Sequence, residues 1–240
     1  MIDIKNLSYT VDNVKIFENA QISIPKGQMT IIAGLNGSGK TTLLKIISGI
    51  IKPRSIDMKT NSKEIFYLPQ RIKYPENITL WEYIESSFYK QSWKWFLSKE
   101  EKIKINEVLS LLELENKKDT LTDNLSSGEL QKANIALGLV SDADVFLLDE
   151  PTSNMDLVNQ IKVLDIIKKL VSHGITCVIV LHDISLLSKY GDNFIGFTKD
   201  LKIISGSRRE FITKDVLKQI FGIDFKVINN DKECRIEILN

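Results

Sequence analysis

The strongest constraint on the fold of this 240-residue chain lies between residues 33 and 44, which read AGLNGSGKTTLL. Gly34, Gly39, Lys40 and Thr41 fit the pattern G-x-x-x-x-G-K-[ST], in which a glycine-rich loop joins a buried strand to a helix. An ordinary glycine-rich turn before a helix is the alternative. The apolar runs on both sides of the loop argue against it, because they predict the required strand and helix. The sequence therefore predicts a phosphate-binding loop.

The residue types in this loop explain how it would hold phosphate. Glycines let backbone N–H groups approach an anion closely, and the start of the helix adds positive potential. Lys40 is expected to neutralise the β- and γ-phosphates of a nucleotide, and the Thr41 hydroxyl to ligate Mg²⁺. The residues expected to bind the nucleotide in this loop are Gly34, Asn36, Gly37, Ser38, Gly39, Lys40, Thr41 and Thr42.

Composition argues against several other classes of protein. A net charge of +1 provides no basic field that would make nucleic acid the main partner. Cys177 and Cys234 lie far apart without metal-type spacing, so we predict reduced cysteines, with a disulfide as the alternative. No pattern resembles a signal peptide, and no apolar segment approaches the length of a spanning helix. We therefore expect a soluble protein or one peripheral to a membrane.

Hydrophobic periodicity predicts an α/β chain. Apolar residues that alternate with polar ones at 2–24 predict short antiparallel strands ahead of the phosphate loop. After residue 144, strands and helices alternate, as they do in parallel sheets. Further strands are predicted at 56–59, 65–68, 145–148, 175–181, 194–197 and 203–205, with a last strand pair at 225–239. Helices are predicted from the loop to 48, at 157–171 with Leu157 on the apolar face, and at 214–221.

The segment from Thr79 to Val140 differs, because it contains helical apolar faces but no convincing strand. Thr79 with Glu82 and Ser98 with Glu101 have the spacing of helix capping boxes. We predict a P-loop NTPase core with a mostly parallel sheet and an N-terminal antiparallel β subdomain at 1–70 and 141–240. An all-helical subdomain is predicted at 71–140. Five aromatic residues in it are expected to pack its helices, with a docking surface as the alternative: Trp81, Phe88, Trp93, Trp95 and Phe96.

Two polar segments outside the loop are placed to act on a bound nucleotide. Asp149 and Glu150 follow a predicted buried strand, at the end where open α/β sheets bind ligands. Asp149 is expected to hold magnesium and Glu150 to accept a proton from the attacking water, against the alternative of an acidic turn. Ser126 and Glu129 form a capping box that explains their spacing by itself, although this helix start also offers N–H groups and a hydroxyl to an anion.

These motifs occur in the order found in ATP-binding cassette (ABC) transporters, and essentially the full chain resembles their nucleotide-binding subunit. By that resemblance, GLNGSGKT from Gly34 is the Walker A loop and VFLLDE from Val145 is Walker B. LSSGELQ from Leu125 is the signature motif, and the segment from Ser153 to Asp156 is the D-loop. The set of motifs in this order is highly specific for the family, and it implies the ABC ATPase fold.

The resemblance also assigns roles to single residues. Gln70 links magnesium to the helical subdomain, and Tyr9 stacks on adenine. His182 is the switch histidine that orients the attacked phosphate and water, with a buried core histidine as the alternative. The catalytic residues implied are Glu150, His182 and Gln70, and the magnesium ligands implied are Thr41, Gln70 and Asp149.

The family mechanism implies a homodimer that closes around ATP and Mg²⁺. Two subunits pack head to tail, so that Walker A of one and the signature segment of the other enclose the same ATP. The residues expected to bind ATP from the partner are Ser126, Ser127, Gly128 and Glu129. Ser127 and Glu129 replace the usual glycine and glutamine, and Leu201 replaces a glycine after Asp200. We expect activity with weaker dimer closure, because a left-handed backbone at Ser127 would be strained.

The resemblance further implies separate multi-span permease subunits, an extracytoplasmic binding protein and a position on the cytoplasmic face of the cell membrane. The order of elements near the end of the chain resembles ATPases of metal-chelate, haem or cobalamin importers. Zinc or manganese importers and a two-component exporter are the alternatives within transport. A soluble ABC ATPase that acts on ribosomes or DNA is the alternative from another class, and a small-molecule P-loop kinase is disfavoured by Glu150 and the signature motif.

Overall fold

The computed structural model of the chain describes residues 1–89, 96–229 and 234–239. Within them the strands are β1 (Ile2–Val11), β2 (Val14–Ile24), β3 (Met29–Gly34), β4 (Ser55–Thr60), β5 (Ile65–Leu68), β6 (Val145–Asp149), β7 (Thr176–Val180), β8 (Asn193–Phe197), β9 (Ile203–Ser207), β10 (Phe225–Asn229) and β11 (Cys234–Ile238). The helices are α1 (Lys40–Ile47), α2 (Leu80–Tyr89), α3 (Lys99–Leu111), α4 (Ser127–Val140), α5 (Leu157–Ser172), α6 (Ile184–Tyr190), α7 (Arg208–Phe211) and α8 (Lys214–Phe221). These elements confirm the predicted α/β class.

Six of the described strands form the central sheet, in the order β5-β6-β7-β3-β8-β9. All neighbouring pairs are parallel except β8 with β9, which confirms the mostly parallel sheet. β3 and β6 are buried along their whole length, as strands covered on both faces should be. Parallel strands end at a common edge, so β3, β6 and β7 bring the phosphate loop, Glu150 and His182 to the same side of the sheet.

A second, antiparallel sheet lies over α1, with strand order β2-β1-β4. The strand predicted near residue 56 is its third member, β4. Ile4 and Leu7 of this sheet belong to the same buried apolar cluster as Leu43 and Ile47 of α1. The cluster also includes side chains of β6 and β7 in the central sheet. The helix that follows the phosphate loop is thus held between two sheets.

The described residues between β5 and β6 form helices, as predicted. α3 and α4 are connected through two short 3₁₀ turns, and an isolated backbone bridge links Thr79 to Leu121. The capping boxes predicted at Thr79 and Ser98 are present. In that of α3, the Ser98 N–H donates to Glu101 Oε2 at 2.7 Å. The limits of this subdomain, 71–140, stay a prediction.

A buried polar network joins two of these helices to the segment that follows β5. Asn134 of α4 is fully buried. Its Oδ1 accepts a hydrogen bond of 2.8 Å from the Tyr83 hydroxyl of α2. Its Nδ2 donates to the Tyr74 hydroxyl at 2.8 Å and to Gln131 Oε1 at 3.3 Å. The amide therefore has partners at both ends, which a buried polar group requires.

Some aromatic residues of the helical subdomain pack against the core, and one is exposed. Trp81 and Phe88 pack, partly buried, against the main core, as predicted. Phe96 is 84% exposed and takes no part in that core. Trp93 and Trp95 lie outside the described residues. Packing is therefore the role of Trp81 and Phe88, while docking at Phe96 stays an alternative.

Two short helices, α6 and α7, were not predicted from the sequence. α6 follows His182 and is capped by Asp183, whose Oδ1 accepts from the Ser185 N–H at 2.8 Å. Its buried residues include Leu186, Leu187 and Tyr190, a spacing that suits one helix face. That cap and spacing are the sequence signals that could have identified α6.

Two expectations about particular helix residues need correction. Ser127 is the first residue of α4 and is not among the described non-glycine residues with positive φ, so its side chain imposes no left-handed strain. Leu157 was predicted on the apolar face of α5 but is 58% exposed. The reason is that α5 packs through its later turns, where Val163 and Leu164 are buried.

Cys177 lies fully buried in β7 and is not part of a disulfide. Burial raises the pKa of its thiol, so the group stays protonated and packs as a small apolar side chain. Among the helices that the structure describes, none is both long and apolar enough to cross a membrane.

The loop between β8 and β9 holds a leucine in the left-handed region. Leu201 has φ 60°, and its N–H donates to the Thr198 carbonyl at 3.3 Å. The Thr198 N–H in turn donates to the Lys202 carbonyl at 3.0 Å, which closes the hairpin. A left-handed conformation costs an L-residue about 1–2 kcal/mol, whereas glycine adopts it freely. The leucine therefore strains a position that suits glycine.

We expect Leu201→Gly to raise the free energy of unfolding by about 0.5–1 kcal/mol, because the strain it relieves exceeds the extra chain entropy of glycine. Urea denaturation of the purified chain measures the change. Lys199→Gly in the same loop is the control, because Lys199 is not left-handed and its replacement should lower stability. A less stable Leu201→Gly variant would show that the leucine contributes packing that outweighs the strain.

Candidate functional site

A cavity of about 500 Å³ lies at the carboxyl edge of the central sheet, beside the start of α1. It brings together residues from the phosphate loop, from the segment after β5 and from the ends of β6 and β7. The lining residues are Ile16, Asn36, Gly37, Gly39, Lys40, Thr41, Thr42, Gln70, Glu150 and His182. Nine of these ten are predicted site residues, while Gly34 and Ser38 belong to the loop without lining the cavity. Their individual roles stay predictions.

Glycine is required where the loop turns into α1. Gly39 caps the helix with φ 101°, and no side chain caps the first turn. A Cβ at this position would lie 2.8 Å from Ile16 Cγ2 and 3.2 Å from the Phe17 ring. Because no side chain occupies the helix start, its N–H groups remain available to an anion.

Lys40 crosses the loop and is almost fully buried. Its Nζ donates to the carbonyls of Gly34 at 2.9 Å and Leu35 at 2.8 Å. Burial lowers the pKa of Lys40, and the negative charges of Glu150 and Asp149 oppose that shift. The ammonium is thus desolvated and held at the loop, where an anionic phosphate would offer it a stronger partner than two neutral carbonyls.

The Glu150 carboxylate lies between two other predicted catalytic side chains. Gln70 Nε2 donates to Glu150 Oε2 at 2.5 Å, and His182 Nε2 lies 2.6 Å from Oε1. Glu150 itself is left-handed, with φ 50°, directly after β6. Strained residues of this kind persist where surrounding contacts fix them, and they are frequent at functional sites. The three residues therefore form one hydrogen-bonded group at the mouth of the cavity.

Asp149 is suited to a metal because one of its oxygens lacks a protein partner. The residue is 2% exposed, and among the described residues Oδ1 has no hydrogen-bond partner, while Oδ2 accepts from the Tyr67 hydroxyl at 3.5 Å. Removal from water raises the pKa of Asp149, and the Thr41 hydroxyl and the Lys45 charge oppose the rise. No cluster of three or more His, Cys, Asp or Glu side chains that could hold a metal occurs in the described part of the chain. This donor set suits Mg²⁺, which protein sites hold through one or two carboxylates together with substrate phosphates.

The second predicted anion-binding helix start lies outside this cavity. Ser126 caps α4, and Glu129 Oε2 accepts from the Ser126 N–H at 2.8 Å, which completes the predicted capping box. That backbone hydrogen bond contributes most to a lowered pKa of Glu129, and Lys117 pairs with the carboxylate at 3.0 Å. Ser126 and Ser127 are exposed and Gly128 is buried. None of the four residues from Ser126 to Glu129 lines the phosphate-loop cavity, and Ser127 instead lines a neighbouring groove with Asp149 and Glu150.

Two residues near the cavity differ from the expectation for the adenine site. Tyr9 is partly buried and does not line the cavity; it lines a separate groove of about 670 Å³ with Lys52 and Arg54. Stacking of Tyr9 on adenine stays a prediction. Ile16 lines the cavity and was missed. It is partly buried beside Phe17 and packs against the apolar cluster under the sheet, so its place in the alternation of β2 predicted a core residue only.

Comparison with known proteins agrees with the architecture of this site. The model of the ABC transporter family matches residues 17–153. The probable siderophore transport system ATP-binding protein YusV of Bacillus subtilis (strain 168) is 33% identical over 241 residues, which cover 94% of this chain and 87% of YusV. The petrobactin import ATP-binding protein YclP of the same strain is 30% identical over 246 residues, covering 97% of each chain.

Solved structures share the fold over nearly the whole chain. An ABC transporter described as being of the metal-chelate type, in an inward-facing conformation, matches with a TM-score of 0.89 at 22% identity, covering 99% of this chain and 96% of that one. CbiO1 of Clostridium perfringens, part of the ABC transporter complex cbiONQ, matches with a TM-score of 0.75 at 25% identity, covering 90% and 92%. These matches confirm the predicted ABC ATPase fold.

We expect Gly39→Ala to destabilise the chain by about 2–4 kcal/mol, because left-handed strain adds to overpacking against Ile16 and Phe17. Gly49→Ala is the matched control: Gly49 is also left-handed, with φ 77°, but a Cβ there would meet no atom within 4 Å. Its cost should be about 1–2 kcal/mol, the strain alone. Urea denaturation without nucleotide measures both. Equal costs would show that Ile16 and Phe17 move aside freely.

Proposed function

This chain belongs to the ATP-binding family of ABC transporters, and we propose that it powers the import of a ferric siderophore through separate membrane subunits. It is an ATPase that binds and hydrolyses ATP to drive transport. The observation that carries the proposal for the site is the Glu150 carboxylate, which Gln70 and His182 hold at the mouth of the phosphate-loop cavity. The proposed binding residues for ATP are those of the phosphate loop.

The proposed chemistry assigns a separate task to each of these side chains. The N–H groups at the start of α1 and the Lys40 ammonium bind the β- and γ-phosphates. Glu150 orients the attacking water and accepts its proton. His182 directs its Nε2 proton towards the Glu150 carboxylate beside the attacking water, and Gln70 holds that carboxylate in place. Positioning and electrostatic stabilisation of this kind account for most of the catalysis of phosphoryl transfer.

We assign magnesium to Thr41, Asp149 and Gln70. The unpartnered Oδ1 of Asp149 and the cluster of charges around it support this assignment. Gln70 uses its Nε2 on Glu150, so its amide oxygen is left for the metal side. When bound, the ion would neutralise charge on the β- and γ-phosphates.

A second copy of the chain is the proposed partner in the closed state. The start of α4, at Ser126, Ser127, Gly128 and Glu129, would bind the γ-phosphate of the ATP held by the other copy. The absence of these four residues from the lining of the phosphate-loop cavity supports this arrangement. A trapped ATP would then join the two copies, and its hydrolysis would release them.

The cargo and the membrane partners are proposed from the relatives. YusV and YclP are named for siderophore transport and petrobactin import, and the likeness covers at least 94% of this chain. We propose permease subunits with several membrane spans, an extracytoplasmic binding protein for the chelate and a position on the cytoplasmic face of the membrane. If haem, cobalamin or another metal stimulated the transporter in place of a ferric siderophore, that compound would be assigned as the cargo.

We expect Glu150→Gln to lower ATP turnover by about 100-fold or more, because the amide cannot accept the proton that the carboxylate takes. With ATP and Mg²⁺ the variant should accumulate as a dimer, since trapped ATP still joins two copies. Phosphate release and light scattering measure the two effects. The double variant with Lys40→Ala is the control and should stay monomeric, because it loses ATP. Unchanged turnover would remove Glu150 from its role.

We expect the chain to copurify from detergent-solubilised membranes with a protein of several membrane spans. The binding protein loaded with a ferric siderophore should stimulate ATP hydrolysis by that complex in vesicles, and the unloaded binding protein is the control. Stimulation by haem or cobalamin instead would change the cargo. Recovery of ribosomes or DNA would contradict a transport role.

A further inference from the structure

A tyrosine on the strand beside Walker B reaches the carboxylate assigned to magnesium. Tyr67 of β5 pairs in parallel register with Leu147 of β6. Asp149 follows Leu147 by two residues, so its side chain lies on the same face of the sheet. The Tyr67 hydroxyl donates to Asp149 Oδ2 at 3.5 Å. This distance is long for a hydrogen bond, but bonds in ligand-free catalytic sites are often long and tighten when the ligand binds.

Packing alone does not explain the hydroxyl. Ile65 and Tyr67 pack with Leu147 and with α1 in the cluster between the two sheets. On the opposite face of β5, the Phe66 ring packs at a tilt against that of Phe146, with ring centroids 5.3 Å apart. An aromatic ring without a hydroxyl thus serves the packing role one residue earlier in the same strand. The hydroxyl of Tyr67 has Asp149 as its hydrogen-bond partner.

The hydroxyl distinguishes the two oxygens of Asp149. Oδ2 is paired with Tyr67, whereas Oδ1 is buried and lacks a partner among the described residues. A terminal carboxylate torsion is broad and roughly two-fold, so an unheld Asp149 would present either oxygen in several orientations. A neutral donor removes that freedom without cancelling the charge that a cation needs. The Thr41 hydroxyl also hydrogen-bonds Asp149, but Thr41 is itself assigned to magnesium, and Lys45 acts on Asp149 through its charge. Tyr67 is therefore the donor to Asp149 that is not a proposed metal ligand.

We infer that Tyr67 is a positioning residue, which holds Asp149 through Oδ2 so that Oδ1 faces the magnesium of bound MgATP. The inference rests on the proposed function, because it requires magnesium at Asp149. Tyr67 touches neither the nucleotide nor the metal in this assignment. Its loss should therefore weaken the effect of magnesium on nucleotide binding, and leave binding of the metal-free nucleotide unchanged.

The test uses Tyr67→Phe in the full chain and the ATP analogue with an imido group between its β- and γ-phosphorus atoms, which is not hydrolysed. Calorimetry measures analogue affinity in EDTA and the Mg²⁺ concentration that gives half of the gain in affinity. We expect that concentration to rise about three- to tenfold, the range for loss of one hydrogen bond. Affinity for the analogue in EDTA should change less than about twofold, because the metal-free nucleotide does not depend on the hydrogen bond between Tyr67 and Asp149. Tyr67→Met, which also lacks the hydroxyl, should give the same shift.

Tyr190→Phe is the matched control. Tyr190 is buried and its hydroxyl donates to Asp165 Oδ1 at 2.7 Å, so the variant removes the same kind of bond away from the phosphate loop. It should leave the magnesium requirement unchanged. An unchanged magnesium requirement in Tyr67→Phe would overturn the inference. A loss of affinity in EDTA as large as the loss with Mg²⁺ would also overturn it, because that result indicates a general structural role. A wild-type chain whose binding ignores magnesium would contradict the proposed function itself.

Discussion

Parallel pairing of β6, β7 and β3 is the constraint on which the site depends. Because these strands run in the same direction, their carboxyl ends meet at one edge and bring together three distant parts of the chain. The antiparallel sheet closes over α1 from the other side and, through Ile16 and Phe17, leaves room only for glycine at position 39. The phosphate loop is therefore shaped by both sheets rather than by its own sequence alone.

Glu150 shows how this arrangement prepares the site for chemistry. Its left-handed backbone follows a fully buried strand, and its carboxylate is held at both oxygens by Gln70 and His182. Such strain persists only where the surroundings fix it, and here the buried strand and the two hydrogen-bonding partners do so. Lys40 is likewise desolvated before any ligand enters. The residues that we assign to the reaction are therefore strained or desolvated already in the folded chain, so less reorganisation is required when ATP reacts.

The sequence was most informative where structure is local. The phosphate loop, the capping boxes at Ser98 and Ser126 and the buried strand before Asp149 depend on residues close in sequence, and all were predicted. Features that depend on distant partners were not: the sheet that β4 joins, the place of Ile16 in the cavity, and the contact of Tyr67 with Asp149. α6 was missed because it is only seven residues long, although its Asp183 cap and its apolar spacing are local signals.

The buried amide of Asn134 has a mechanical consequence. It ties Tyr74, which follows Gln70 by four residues, to α2 through Tyr83 and to the helix that begins with the signature motif. Separating these groups would leave buried polar atoms unpaired, at a cost of about 1–3 kcal/mol each. A displacement of the segment that carries Gln70 would therefore move α2 and α4 with it. In the proposed dimer, a shift of Gln70 at the phosphate-loop cavity would also shift the start of α4, which we assign to the nucleotide of the second copy.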